Sequence, residues 1–100
     1  MADTDVKIVI QIKNYIEQHG GHYPSWYVGR AEDPEEKLVD HGVNLDKGRF
    51  IYLTAACVDD AISVEQYFVT RLGTDGHVRD SNGEKILNVY AYKKNPSTDP

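Results

Sequence analysis

The stretch WYVGRAEDPEEKLVDHG, residues 26–42, decides the fold of this chain. It opens with aromatic and β-branched residues, which favour a β-strand. Asp33 is a good helix N-cap, Pro34 fits the first helical position, and a glutamate three residues after the cap completes a capping box. We therefore predict a strand within residues 22–30 that is followed by a short helix ending at Gly42.

The residues before this stretch predict a helix. Apolar residues alternate at the start of residues 4–19, as in a strand, but from Ile8 to Ile16 they also follow helical spacing. Strands rarely reach the length of this segment, so we favour the helix. The pair Gly20 and Gly21 then supplies a stop that is typical of a helix C-terminus.

The residues after the stretch predict two further strands and a second long helix. Residues 49–58 are mostly apolar and are interpreted as a buried strand. A helix capped by Asp59 or Asp60 extends to Leu72, where a glycine stops it. A loop with Asp-Gly and Asn-Gly turn signals leads to residues 86–93, whose alternating pattern closes the chain as a strand.

This order of elements predicts an α+β fold, in which helices flank a small, mainly antiparallel three-stranded sheet. We expect a single domain over residues 1–100, with an ordered core at 4–94 and frayed ends. A chain of 100 residues leaves no room for a separate regulatory domain.

Composition narrows the classes of function. The chain has 11 Lys and Arg against 16 Asp and Glu, and this net charge of −5 argues against a generic basic coat for nucleic acid. Cys57 is the single cysteine, which excludes an internal disulfide framework and a paired-cysteine zinc site. The apolar runs are far shorter than the roughly 20 residues that cross a bilayer, and Lys7 interrupts any signal-peptide core. We expect a soluble, cytoplasmic protein with no membrane partner.

Several side chains could carry chemistry. Lys37 and His41 are four residues apart, so both project from one face of the short helix. Glu65 falls within or beside the apolar stripe of the long helix, where a buried carboxylate needs a partner or a metal ion. From spacing alone, we expect Glu65 to reach solvent and Tyr27 to lie in the core. His41 is expected to lie at the end of a helix. Cys57 is predicted to be an inert buried thiol.

Residues 27–41 resemble the second motif strand and the following helix of the GIY-YIG nuclease superfamily. Residues 27–29, Tyr-Val-Gly, match the Tyr-Ile-Gly-like triplet of that family. Lys37 falls where the family has an arginine, and His41 falls on the family's histidine. The resemblance extends over about residues 26–72.

Farther along, residues 50–55 and the helix with Glu65 resemble the family's third strand and the helix that bears its metal-binding glutamate. The resemblance implies metal-dependent hydrolysis of phosphodiester bonds in nucleic acid. In that chemistry Glu65 holds Mg²⁺ or Mn²⁺, and Lys37 stabilises the charged phosphate. Tyr27 and His41 position or deprotonate the attacking water.

Two other interpretations stay open. The family's first motif strand does not precede Tyr27, and a lysine in place of the arginine supplies charge without a planar two-point donor. These departures and the negative charge favour an inactive member of the fold that binds a protein partner or serves as an accessory domain. A final strand with Tyr90 and Tyr92 is then a candidate for the missing strand in a permuted sheet. The remaining interpretation is an unrelated α+β domain in which Trp26, Tyr27 and Phe50 are simply core.

Overall fold

The first helix follows the helical spacing of the N-terminal segment. The structure is a computed structural model that describes residues 5–76, 86–95 and 98. Helix α1 spans Asp5–Gln18 and buries the helically spaced Ile8, Ile12 and Ile16. The alternating residues Val6 and Ile10, which suggested a strand, are 62% and 52% exposed. This helix therefore buries about one isoleucine in each turn. A strand would instead have buried the alternating apolar residues.

Three antiparallel strands form the sheet, as predicted. Strand β1 spans Trp26–Ala31, β2 spans Phe50–Thr54 and β3 spans Asn88–Lys93. The order is β1-β3-β2, so the last strand of the sequence lies in the centre. Both pairings are antiparallel, and Gly29 of β1 lies opposite Tyr90 of β3. The α+β prediction is confirmed.

The sheet separates two hydrophobic clusters. Because side chains alternate along a strand, each strand contributes to both faces. One face packs against the buried residues of α1 and of the long helix, and it forms the main core. The other face carries Tyr27, Tyr90 and Tyr92, which are covered by Leu38 and Val43.

The short helix α2, Pro34–Asp40, covers the tyrosine face. The backbone N–H of Glu36 donates to the Asp33 side chain at 3.2 Å, as predicted for the N-cap. Leu38 is fully buried and anchors the helix to the sheet. Gly42 follows with a φ of 85°, a left-handed conformation that suits glycine and ends the helix.

The long helix begins earlier than predicted. Strand β2 ends at Thr54, the last residue with a partner in β3, and α3 spans Val58–Gln66. The predicted strand over residues 49–58 was therefore too long. Cys57 is the N-cap residue and is exposed, so its prediction as a buried thiol was wrong, because the chain has already left the sheet. The predicted caps, residues 59 and 60, lie instead in the first turn of the helix, where negative charge is favourable.

The C-terminal part of this helix widens. After Gln66 the chain continues through π-helical turns over Tyr67–Leu72, and Gly73 at a φ of 82° ends it as predicted. Asp75 then pairs with the outer edge of β1 through two backbone hydrogen bonds of 2.8 and 3.0 Å. The predicted Asn-Gly turn and residues 1–3 of the predicted frayed ends lie outside the described residues. No helix in the described part of the chain combines the length and apolar character needed to cross a membrane.

Candidate active site

Four aromatic side chains meet between α2 and the sheet. Tyr27, His41, Tyr90 and Tyr92 are called the tyrosine–histidine cluster below. The ring centroids of Tyr27 and His41 are 4.8 Å apart, and those of Tyr27 and Tyr92 are 5.3 Å apart. Tyr27 and Tyr90 stack at 6.2 Å. The cluster thus joins residues that are separated by more than sixty positions in the sequence.

A glycine makes this arrangement possible. Gly29 lies opposite Tyr90, and a Cβ atom on Gly29 would stand 2.7 Å from the Tyr90 hydroxyl oxygen and 2.8 Å from Cζ. Non-bonded carbon atoms prefer separations of about 3.5–4.0 Å. Glycine at this position therefore lets the Tyr90 ring lie over β1. This is the physical reason for a glycine in the Tyr-Val-Gly triplet.

Hydrogen bonds connect the cluster. Nε2 of His41 and the hydroxyl of Tyr90 are joined by a 3.0 Å hydrogen bond whose direction depends on the histidine tautomer. Burial raises the pKa of Tyr90 well above the usual tyrosine value, and Tyr27, Tyr92, the charge of Glu65 and a hydrogen bond with Tyr27 raise it further. Tyr90 is therefore a neutral hydrogen-bonding group at physiological pH and not a phenolate base.

The raised pKa of Tyr90 predicts that the wild type loses more stability at high pH than a variant without the Tyr90 hydroxyl. Because the folded-state pKa is raised, the contribution of neutral Tyr90 is fully present below the unfolded value of about 10 and is lost as the pH rises through the folded-state value. Between pH 8 and pH 11, we expect urea unfolding to show a stability loss about 1 kcal/mol larger in the wild type than in Tyr90→Phe. Equal losses in the two proteins would show that Tyr90 ionises normally.

Glu65 is buried and pairs with an arginine. Nε of Arg30 donates to Oε1 of Glu65 at 2.9 Å, and the two residues are only 8% and 3% exposed. The prediction that Glu65 reaches solvent was therefore wrong, because α3 turns this position toward the sheet. Arg30 lies on the face of β1 that packs against α3, whereas Tyr27 lies on the other face, so the ion pair and the tyrosine–histidine cluster are on opposite faces of the sheet. The charge of Glu65 nevertheless contributes to the raised pKa of Tyr90.

Lys37 is not brought into the cluster. It is exposed on α2, and among the described residues its side chain makes no hydrogen bond or ion pair. Its helix partner His41 does turn inward, since it occupies the C-cap where the chain bends toward the sheet. The phosphate-binding role of Lys37 stays a prediction.

Arg30 is the site residue that the sequence reasoning missed. It directly follows the Tyr-Val-Gly triplet and alternates with Trp26 and Val28, so it points to the main core face of β1. A charged side chain on a covered face requires a counter-charge. That alternation, read together with a glutamate in the apolar stripe of a helix, was the available signal for the pair.

The donors among the described residues do not form a site for a metal ion. Within residues 5–76, 86–95 and 98, no three His, Cys, Asp or Glu side chains are grouped as a metal-binding set. A zinc centre needs three or four protein ligands, so the described residues do not fit one. Mg²⁺ is commonly held by one or two carboxylates, with water and substrate phosphate completing its shell. Glu65 is 3% exposed and its Oε1 already accepts a hydrogen bond from Arg30, so in this structure it does not meet that requirement.

Comparison with known proteins found no relative of this chain. Models of protein families, characterised proteins and solved structures gave no match to this chain. What the chain does is therefore inferred from its own side chains.

Proposed function

We propose that this chain is a divergent GIY-YIG-type nuclease that hydrolyses phosphodiester bonds in nucleic acid with the help of Mg²⁺ or Mn²⁺. The observation that carries the proposal is the contact of Tyr27, His41 and Tyr90, in which a hydrogen bond joins His41 to the Tyr90 hydroxyl. Packing alone would have been served by apolar side chains, which need no hydrogen-bond partners. Two of these three residues, Tyr27 and His41, are those that the resemblance selects.

The position of β3 supports the proposal. The final strand lies beside β1 and contributes Tyr90 and Tyr92 to the cluster, next to Tyr27. A permuted chain would place the family's first motif strand there. The strand that is missing before Tyr27 is thus replaced by a strand from the other end of the sequence.

Each side chain of the site has a separate role in the proposed reaction. Tyr90 keeps its proton, so its hydroxyl can donate a hydrogen bond to a phosphoryl oxygen as negative charge develops there. His41 can accept a proton from the attacking water, and Tyr27 positions that water. The resemblance assigns the metal ion to Glu65, which would have to release Arg30 to hold it, and the ion would supply positive charge to the phosphoryl group. Lys37 remains the proposed contact to a neighbouring phosphate.

A cleavage assay tests this function. We expect Mg²⁺- or Mn²⁺-dependent cleavage of single- or double-stranded nucleic acid by the purified protein. A His41→Ala change should lower the rate about 10²- to 10⁴-fold, as expected for loss of a proton acceptor. Glu65→Gln should abolish the metal dependence, whereas Glu17→Gln, the same change at an exposed position of α1, should leave the rate unchanged. Cleavage that survives in Glu65→Gln would show that the activity does not belong to this site.

An inactive, protein-binding or accessory member of the fold is the second candidate. The observation that favours it is the Arg30–Glu65 ion pair, since the proposed metal ligand is already neutralised. Acidic side chains also surround Lys37 on α2, and they repel a polyanion. If this candidate is correct, millimolar Mg²⁺ should not shift the thermal midpoint, because an ion that does not bind the folded state cannot stabilise it.

A further inference from the structure

The two edges of the sheet differ in how they are covered. At the outer edge of β1, the backbone N–H of Asp75 donates to Trp26 at 2.8 Å, and its C=O accepts from Val28 at 3.0 Å. Strand β2 forms the other edge, because β3 occupies the centre. Within the part of the chain that the structure describes, no backbone hydrogen bond joins the outer side of β2 to another segment. Among these residues, one edge is thus covered and the other is open.

The register with β3 shows which backbone groups of β2 lie on the open edge. The N–H of Lys93 donates to the C=O of Arg49 at 2.9 Å, so Arg49 directs its backbone toward β3. Inward and outward groups alternate along an antiparallel strand, so Phe50, Tyr52 and Thr54 direct their N–H and C=O groups away from the sheet. Each of these residues therefore offers one donor and one acceptor to a further strand.

The sequence of β2 lacks the features that usually protect an exposed edge. Proteins prevent unwanted strand addition with lysine, proline or a bulge at such an edge. Strand β2 has the sequence FIYLT, without a charged residue or a proline, and it pairs with β3 without interruption. The side chain of Tyr52 is 37% exposed and stacks on Phe50 with 6.4 Å between the ring centroids. This edge is therefore suited to pairing with another strand.

We propose that the open edge is a homodimer interface, in which β2 pairs antiparallel with β2 of a second copy around a two-fold axis at Tyr52. The two three-stranded sheets then become one continuous sheet. All outward backbone groups of β2 find partners in this register. Each Phe50 lies opposite Thr54 of the other copy, and each Ile51 lies opposite Leu53, which gives favourable cross-strand pairs. The interface does not depend on the proposed function.

The pattern of charges favours a second copy as the occupant. Lys47 and Arg49 are exposed and precede β2, whereas Asp59 and Asp60 follow it in the first turn of α3. In an antiparallel self-pairing, the residues before β2 of one copy run beside the residues after β2 of the other. The two-fold axis thus brings basic and acidic residues together twice in each dimer. Asp46, which is farther from β2, offsets only part of the positive charge. A parallel pairing would place like charges together.

Sedimentation equilibrium of the full chain over micromolar to millimolar concentrations measures the self-association. We expect a reversible dimer in the wild type. Arg49→Glu should weaken it about tenfold, because this change brings negative charges together at both ends of the interface. Arg49→Glu/Asp59→Lys restores opposite charges and should recover most of the affinity. Arg71→Glu, the same reversal at an exposed residue near the other end of the long helix, should leave the affinity unchanged.

Disulfide trapping tests the register of the pairing. Directly opposite residues of a hydrogen-bonded antiparallel pair lie about 5.5 Å apart at Cα, a separation that a disulfide can span. In a Cys57→Ser background, Tyr52→Cys should therefore form a covalent dimer under mild oxidation. Tyr67→Cys should remain monomeric, because Tyr67 is also 37% exposed but lies in the C-terminal part of the long helix. Circular dichroism checks that the variants keep the fold.

A dimer that Arg49→Glu weakens, that the double variant recovers and that Tyr52→Cys traps supports the proposal. A wild type that stays monomeric up to millimolar concentration overturns it and leaves the edge to a strand of another protein. A dimer that is insensitive to residue 49, or a Tyr67→Cys cross-link as efficient as that of Tyr52→Cys, also overturns it. The contact would then lie on another surface, such as the exposed Val6 and Ile10 of α1.

Discussion

Replacing Glu65 by methionine is expected to lower the free energy of unfolding by about 3–5 kcal/mol, since it leaves the buried Arg30 guanidinium uncompensated. Arg30→Met should cost a similar amount for the converse reason. The double variant removes both charges and substitutes apolar side chains of similar length. It should therefore be far more stable than the sum of the single changes predicts.

Urea unfolding of the four proteins measures this coupling. Asp75 and Lys94 offer a matched control, because their side chains form a 3.3 Å ion pair that is largely accessible to solvent. Breaking that pair with Asp75→Asn should cost less than about 1 kcal/mol. Single changes at residues 30 and 65 that cost no more than the control, and that add without coupling, would contradict the buried pair.

A methyl group added at residue 29 is also expected to have a large effect on stability. Gly29→Ala places a Cβ atom within 2.7–2.8 Å of the Tyr90 ring and hydroxyl. Tyr90 is 2% exposed and is fixed by His41, so its ring cannot move aside into open space. We expect a loss of about 1–3 kcal/mol in stability, as is common for overpacked cores. Nuclease activity should fall with it, since the hydroxyl leaves its position.

A second substitution separates this clash from a general effect on β1. Tyr90→Leu removes the ring that the new methyl group meets. Gly29→Ala should therefore cost much less in a Tyr90→Leu background than in the wild type. An equal cost in both backgrounds would mean that the glycine is needed for its backbone alone.

Local signals predicted the helices and strands well. Asp33 and Pro34 mark the start of α2, and Gly73 marks the end of the long helix, because these residues act within a few positions of themselves. The boundary between β2 and α3 was misplaced. Apolar residues continue past Thr54, but the register with β3 ends there, and strand pairing is a non-local property.

The site was predictable only in part. Tyr27 and His41 were selected by the family resemblance, and the structure brings them together. The contact of Tyr90 with them depends on which strand occupies the centre of the sheet, which no local pattern reports. The burial of Glu65 was missed for the same reason, since its partner Arg30 lies thirty-five positions earlier.

The most direct measurement of the central claim is anomalous diffraction from crystals that contain Mn²⁺ and a short, uncleavable phosphodiester analogue. We predict that the phosphate analogue binds at the hydroxyl of Tyr90 beside His41, and that an anomalous peak appears at the Glu65 carboxylate. Crystals in which Arg30 still occupies Glu65, and in which Mn²⁺ binds only at exposed carboxylates such as those of Asp59 and Asp60, would contradict the claim.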